Sequence, residues 1–165
     1  RKRIEKNMNI SFLSFKNLGI TILISFRTLF AFFWLAAGIN KLNSEWMTSN
    51  VLEEVFLQRL TELPPDSFAV LYLNNFAIPF YQLIGWVVTL GELYSSIGLL
   101  IGLTTRCSAG VSLFILFNFA IGGYYDASLL PFFILVFLFL WYPTGHWFGM
   151  DSYMNKKYPN QVIFK

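Results

Sequence analysis

Four long apolar runs divide the chain, and their length is the first thing to explain. One extends from about Leu18 to Leu42 with Arg27 as its single interior charge, and a second from about Ile78 to Leu103. A third runs from about Cys107 to Tyr124, and the fourth is the shorter, aromatic-ended "ASLLPFFILVFLFLWYP". About 20 predominantly apolar residues are enough to cross the hydrocarbon of a bilayer. The runs are continuous and do not alternate, which argues against a membrane β-barrel. Links of only a few residues join the second, third and fourth runs, so these should be antiparallel neighbours. The pattern predicts an all-α integral membrane protein, a four-transmembrane-helix bundle spanning residues 18–145.

The connection 43–77 is too long for a turn. Within it, "NVLEEVFLQRLTEL" places Leu52, Val55, Phe56, Leu60 and Leu63 at helical spacing, with Glu53, Glu54, Gln58 and Glu62 opposite. Asn50 and Glu53 stand at capping-box spacing, and Pro64 and Pro65 stop the pattern. This predicts an amphipathic helix over Val51–Leu63, lying at the outer mouth of the bundle as a lid or an interfacial helix. The segment 146–165 reads as an interfacial tail, with Trp147, Phe148 and Tyr153 at headgroup depth.

Composition agrees. The chain is 56% hydrophobic and 13% charged, with a mean hydropathy of +0.56, whereas a soluble domain carries about 25% charged residues. The net charge of +3 is distributed by side. Arg1, Lys2, Arg3, Lys6, Lys16, Arg106, Lys156, Lys157 and Lys165 fall on the side of both termini, with residues 1–17 a basic segment. Only Lys41 and Arg59 fall on the other side. This asymmetry predicts cytoplasmic termini, and basic residues set next to lipid give no reason to expect nucleic acid. No signal peptide with a cleavage site precedes the first run, and sequence upstream of Arg1 is expected. With one cysteine, Cys107, one histidine, His146, and no nucleotide-binding fingerprint, no haem, cluster, metal or flavin is expected to be held by this chain alone.

Two charges lie deep in the runs. Glu92 is about eleven residues from the inner end of its span, roughly 16 Å, and Arg27 about nine, roughly 13 Å. Equal depth and the cost of a lone charge in lipid predict that Arg27 and Glu92 pair. Arg27, Ala31, Trp34, Gly38 and Lys41 share one helix face, and Gly85, Thr89, Glu92 and Ser96 share another. Gly91, Ser95, Gly98 and Gly102 form a small-residue stripe suited to close helix contact. Asn118 and Gly122 add a polar edge to the third span. A bundle-core or interfacial place accounts for the tryptophans, and an ion pair of this kind is as well suited to helix docking as to chemistry.

The segments "FRTLFAFFWLAAGINKL", "GELYSSIGLLIGLTTR" and "FGMD" together resemble the DoxX/DoxD family, in that order and over most of the chain. The long first connection is similar to the DoxD-like members. The resemblance implies a membrane subunit of a thiosulfate:quinone oxidoreductase, which oxidises thiosulfate to tetrathionate and passes the electrons to quinone, with a small DoxA-type partner subunit. It also implies a prokaryotic cell membrane. On that basis Arg27 and Glu92 are the expected catalytic residues, and Arg27, Trp34, Glu92, Ser96 and Asn118 the expected quinone pocket. Lys41 is the expected thiosulfate-binding residue. It lies fourteen residues, roughly 21 Å, along the helix from Arg27, with no relay between them. Two readings follow: an electron-transferring enzyme subunit, or a non-catalytic accessory subunit packed against a larger respiratory or photosynthetic complex. A transporter is the poorer third, because broken helices and repeated halves are missing from the sequence.

Overall fold

A computed structural model of the chain describes the backbone of residues 2–164 and the side chains of residues 17–164. The side chains of Arg1, Lys2, Arg3, Lys6, Lys16 and Lys165, which set the expected orientation, lie outside the described residues. Among those described, every regular element is helical. Helix α1 (Lys2–Asn43) is 42 residues long, about 63 Å at 1.5 Å per residue. It is followed by α2 (Val51–Glu62), the amphipathic helix the sequence predicts, which ends where Leu63 turns extended ahead of Pro64 and Pro65. The capping box does not form. Asn50 instead donates from Nδ2 to Glu54 Oε1 at 2.9 Å, one residue further on.

The rest of the long connection is more ordered than its sequence suggests. Ser67 accepts from the Val70 N–H and starts α3 (Phe68–Tyr72), which passes directly into a π-helical turn, Leu73–Ala77. That turn buries Leu73 and Ala77 completely. Then come α4 (Tyr81–Ile101), α5 (Thr105–Ile121) and α6 (Leu130–Trp141), and two short helices, α7 (Thr144–Trp147) and α8 (Asp151–Lys157). Helix α1 packs along α4, α4 along α5 and α5 along α6.

Small residues set the closest approaches. A Cβ built on Gly38 of α1 would come within 2.8 Å of Leu93 Cδ2, so α1 and α4 are registered at this point. On the other side of α4, Ser95 donates to the Ser108 carbonyl of α5 at 3.1 Å. The small-residue stripe of α4 therefore faces α5, as lipid-embedded helix contacts require.

Polarity is distributed from the inside out. Arg27, Lys41, Thr89, Glu92, Ser95, Ser96, Ser108 and Ser112 are buried, while Leu29, Phe32, Ile39, Leu83, Ile97, Phe114, Phe117 and Phe137 are exposed. Water would not tolerate that surface on a monomer; hydrocarbon would. Two helices, Asn17–Asn43 within α1 and Tyr81–Ile101, are long and apolar enough to cross a membrane. Helices α5 and α6, at 17 and 12 residues, are only about 26 and 18 Å long. The fourth apolar run therefore yields a helix shorter than the sequence suggests, because Tyr142 is extended and Pro143 follows it.

The turn from α4 to α5 tests this packing. Gly102 is left-handed at φ 66°, and a Cβ there would lie 2.7 Å from Gly149 Cα. Gly102→Ala should lower stability by at least about 1–2 kcal/mol, the left-handed penalty alone. Gly110 lies within α5 with nothing within 4 Å of a built Cβ, so Gly110→Ala should stabilise, by up to about 1 kcal/mol. Thermal unfolding in detergent micelles distinguishes the two.

Candidate functional site

Two charged clusters occupy the interior, and neither is the pair expected from the sequence. Lys41 Nζ donates to Glu92 Oε1 at 2.7 Å, with the Lys41 and Glu92 side chains 10% and 0% exposed. Arg27 does not meet Glu92. Its Nη1 and Nη2 donate to the carbonyls of Thr144 and Phe148, each at 2.6 Å. Helix register explains the correction. With Gly38 set against Leu93, Lys41 lies beside the Glu92 turn of α4, while Arg27 lies three turns away beside Gly102. Counting depth from the ends of apolar runs misplaced both residues, since α1 continues well before Leu18. Lys41, counted on the outer side by the sequence, is in fact buried.

The Arg27 cluster closes one end of the bundle. Asp151, 4% exposed, accepts from the Thr104 N–H at 2.6 Å and from the Thr105 N–H at 3.0 Å. It thereby caps the first turn of α5, where Thr104 is left-handed and offers no side-chain cap of its own. Arg27, Gly102, Thr105 and Asp151 thus come from the three sequence segments that carried the family resemblance and converge on one joint. From the sequence Thr144 had no assigned role, Phe148 only a place at headgroup depth and Asp151 only a place in the "FGMD" segment, because Thr144 and Phe148 act through backbone carbonyls, which leave no mark in residue type.

The Lys41–Glu92 cluster borders open space. A compartment of about 110 Å³ is lined by Lys41, Glu92, Trp34, Ala37, Phe33 and Phe132, among others. It shares Phe119 and Leu129 as walls with a larger cavity of about 420 Å³, within the range of about 300–1,000 Å³ typical of small-molecule sites. The larger cavity is apolar, walled by Val55, Phe56, Ile84, Val88 and Ile115, and Trp46 and Leu52 of the long connection cover it. Its polar edge is Tyr72, whose hydroxyl donates to Asn118 Oδ1 at 2.8 Å. Lys41 Nζ also stands 4.8 Å from the Trp46 ring centroid and 5.8 Å from that of Phe119, a favourable arrangement for a desolvated ammonium.

Helix α2 is fastened over this cavity. Arg59 donates to the Gly123 carbonyl and to Glu62 Oε2, and its guanidinium lies 4.6 Å from the Tyr124 ring centroid. Burial pushes the Tyr124 phenol up. At the rim, hydrogen bonds from Ser128 hold the Asp126 carboxyl below the usual carboxylate range.

Of the residues singled out from sequence, Trp34, Lys41 and Glu92 share the small compartment, and Asn118 lines the larger one. Ser96 is buried but donates to Leu93 O in its own helix at 2.8 Å, and it borders neither cavity. Trp46 and Tyr72 were not assigned to the site from the sequence, since only the folding back of the long connection brings them to it.

A helical chain of the DoxX kind with an apolar exterior, charged and hydroxyl side chains buried among its core residues, and helices long enough to cross a bilayer is an integral membrane protein. Residues 22–123 match the DoxX family, more than half of the 165 residues, and the chain belongs to it. Comparison with curated proteins and with solved structures gives no match. The matched stretch contains Arg27, Trp34, Lys41, Glu92, Ser96 and Asn118; it stops before α6 and Asp151.

Removing one member of the buried pair strands the other. Lys41→Met should cost about 3–5 kcal/mol, and Lys41→Met combined with Glu92→Leu markedly less. Unfolding of the single and double variants in mixed micelles measures the coupling.

Proposed function

We propose that this chain is a four-span, DoxD-like subunit that binds membrane quinone in the Lys41–Glu92 compartment adjoining the cavity beneath α2. On this reading it belongs to a prokaryotic cell membrane and serves the oxidation of thiosulfate together with a small DoxA-type subunit. Helices α5 and α6 complete the bundle as crossings, the latter with its flanking turns. Both termini are cytoplasmic. With Lys41 buried, Arg59 is the one cation left on the outer side of that count, which supports the orientation.

The observation that carries the proposal is the buried ion pair at the side of a sizeable apolar cavity. The residues suit a quinone. Trp34 Nε1 is a buried donor without a partner, and Lys41 has N–H donors beyond the one it gives to Glu92. Glu92 Oε2 is free to accept or hold a proton. The quinone would supply the redox chemistry, taking up the two electrons released when two thiosulfates join as tetrathionate, and two protons. Lys41 orients Glu92 and places positive charge beside the head, and α2 keeps water from the cavity. Arg27, both of whose Nη atoms are engaged by carbonyls, holds the inner end and does not touch the ligand.

Membranes carrying the protein should show thiosulfate-dependent quinone reduction that falls at least tenfold in Glu92→Gln. In Arg27→Lys the activity should remain within a fewfold of the parent once protein level is matched. Full activity in Glu92→Gln would transfer the chemistry to a partner and leave the accessory-subunit reading. A cysteine tag placed after Lys165 should resist an impermeant maleimide in intact cells; labelling from outside would reverse the orientation.

A further inference from the structure

Glu92 commits only one carboxylate oxygen to Lys41. Its Oε2 is buried without a hydrogen-bond partner, and so is Trp34 Nε1. Glu92 is 0% and Trp34 1% exposed, and both side chains line the same small compartment. The indole N–H can only donate and a carboxylate can only accept. A group that satisfies both must accept a hydrogen bond and donate another from the same small volume. A hydroxyl does this. An ether or ketone oxygen could accept from Trp34, but it would offer Glu92 only lone pairs. An ammonium would stand beside the Lys41 charge, and a second carboxylate beside that of Glu92.

The remaining walls limit the rest of the molecule. Phe33, Phe132, Leu116 and Ala37 are apolar and call for an apolar, uncharged body. Phe33 is 46% exposed on the outer surface of α1, so the compartment lies next to the lipid-facing side. The ligand source consistent with these walls is the bilayer. We propose that the compartment is a hydroxyl-selective head-group site for a lipid-soluble alcohol or phenol, its OH set between Trp34 Nε1 and Glu92 Oε2. Combined with the quinone reading, on which this inference rests, the hydroxylated, reduced head is held in preference to the dicarbonyl form.

A matched pair of probes isolates the donated hydrogen bond: 4-decylphenol and its methyl ether, 4-decylanisole. Binding to the full chain in lipid nanodiscs, corrected for partition into empty discs, should favour the phenol by at least about tenfold, the ordinary worth of a hydrogen bond to a charged acceptor. Glu92→Gln should reduce that ratio severalfold while leaving the affinity for the ether nearly unchanged, whereas Trp34→Phe should weaken both probes severalfold, because both oxygens accept from the indole. A wild-type ratio near one overturns the inference without recourse to any variant, because water then suffices for both atoms. A ratio that survives Glu92→Gln, or affinities that survive Trp34→Phe, overturn it as well, since the recognition then arises elsewhere. A decyl-substituted quinone separates the two levels. If it binds while phenol and ether bind alike, only hydroxyl selectivity fails; if none of the three binds, the cavity reading fails too.

Discussion

Hydrocarbon outside the helices means that every polar group carried inward must be answered from within the same fold. This requirement organises the interior more than apolar packing does, since lipid tails are as good a solvent for leucine as a neighbouring helix is. Three groups show how it is met. Glu92 is answered by Lys41, Arg27 by two carbonyls beyond α6, and Asp151 by the amides that open α5. The first two depend on the lengthwise placement of α1, marked by Gly38 against Leu93. A slip of one turn would bring Lys41 and Arg27 away from their partners together.

The two ends of that register have different chemical character. Around Arg27 the groups are close-packed: Gly102 and Gly149 touch, and the guanidinium bridges two turns of the C-terminal segment, leaving Arg27 Nε, Thr105 Oγ1 and Thr144 Oγ1 buried without a partner but beside no cavity. Such a joint suits a fixed structural role. Around Lys41 the packing is open, and two buried polar atoms have no partner beside a cavity. Unanswered polar atoms are costly in a low-dielectric interior. Their place beside open volume is what makes this end, and not the other, the candidate for binding.

The long first connection links these ideas to access. Its π-helical turn buries Leu73 and Ala77 and brings Tyr72 to Asn118, while α2 lies above with Arg59 fastened to the α5–α6 turn. A loop of this length would be a liability in a bundle built only for stability. Here it forms a wall of the cavity, contributing Trp46, Leu52, Val55, Phe56 and Tyr72.

The sequence by itself determined the solvent and the helical class. Long apolar runs, scarce charge and the one-sided stripe of α2 are local patterns, and each residue reports its preference for lipid or water independently of the rest. It also picked out Arg27, Trp34, Lys41, Glu92 and Asn118, because polar groups on apolar runs are conspicuous wherever they end up. Partnership was decided only by tertiary structure. Arg27 and Glu92 looked matched in depth, but a pairing depends on the relative sliding of two helices, and a contact between Gly38 and Leu93 sets that to within a turn. The same holds for Asp151 over α5 and for the carbonyls of Thr144 and Phe148. These are contacts between segments more than forty residues apart in sequence, several of them through backbone atoms that every residue shares. The cavity belongs to the same category, since empty space is a property of how helices fail to touch and no residue type encodes it.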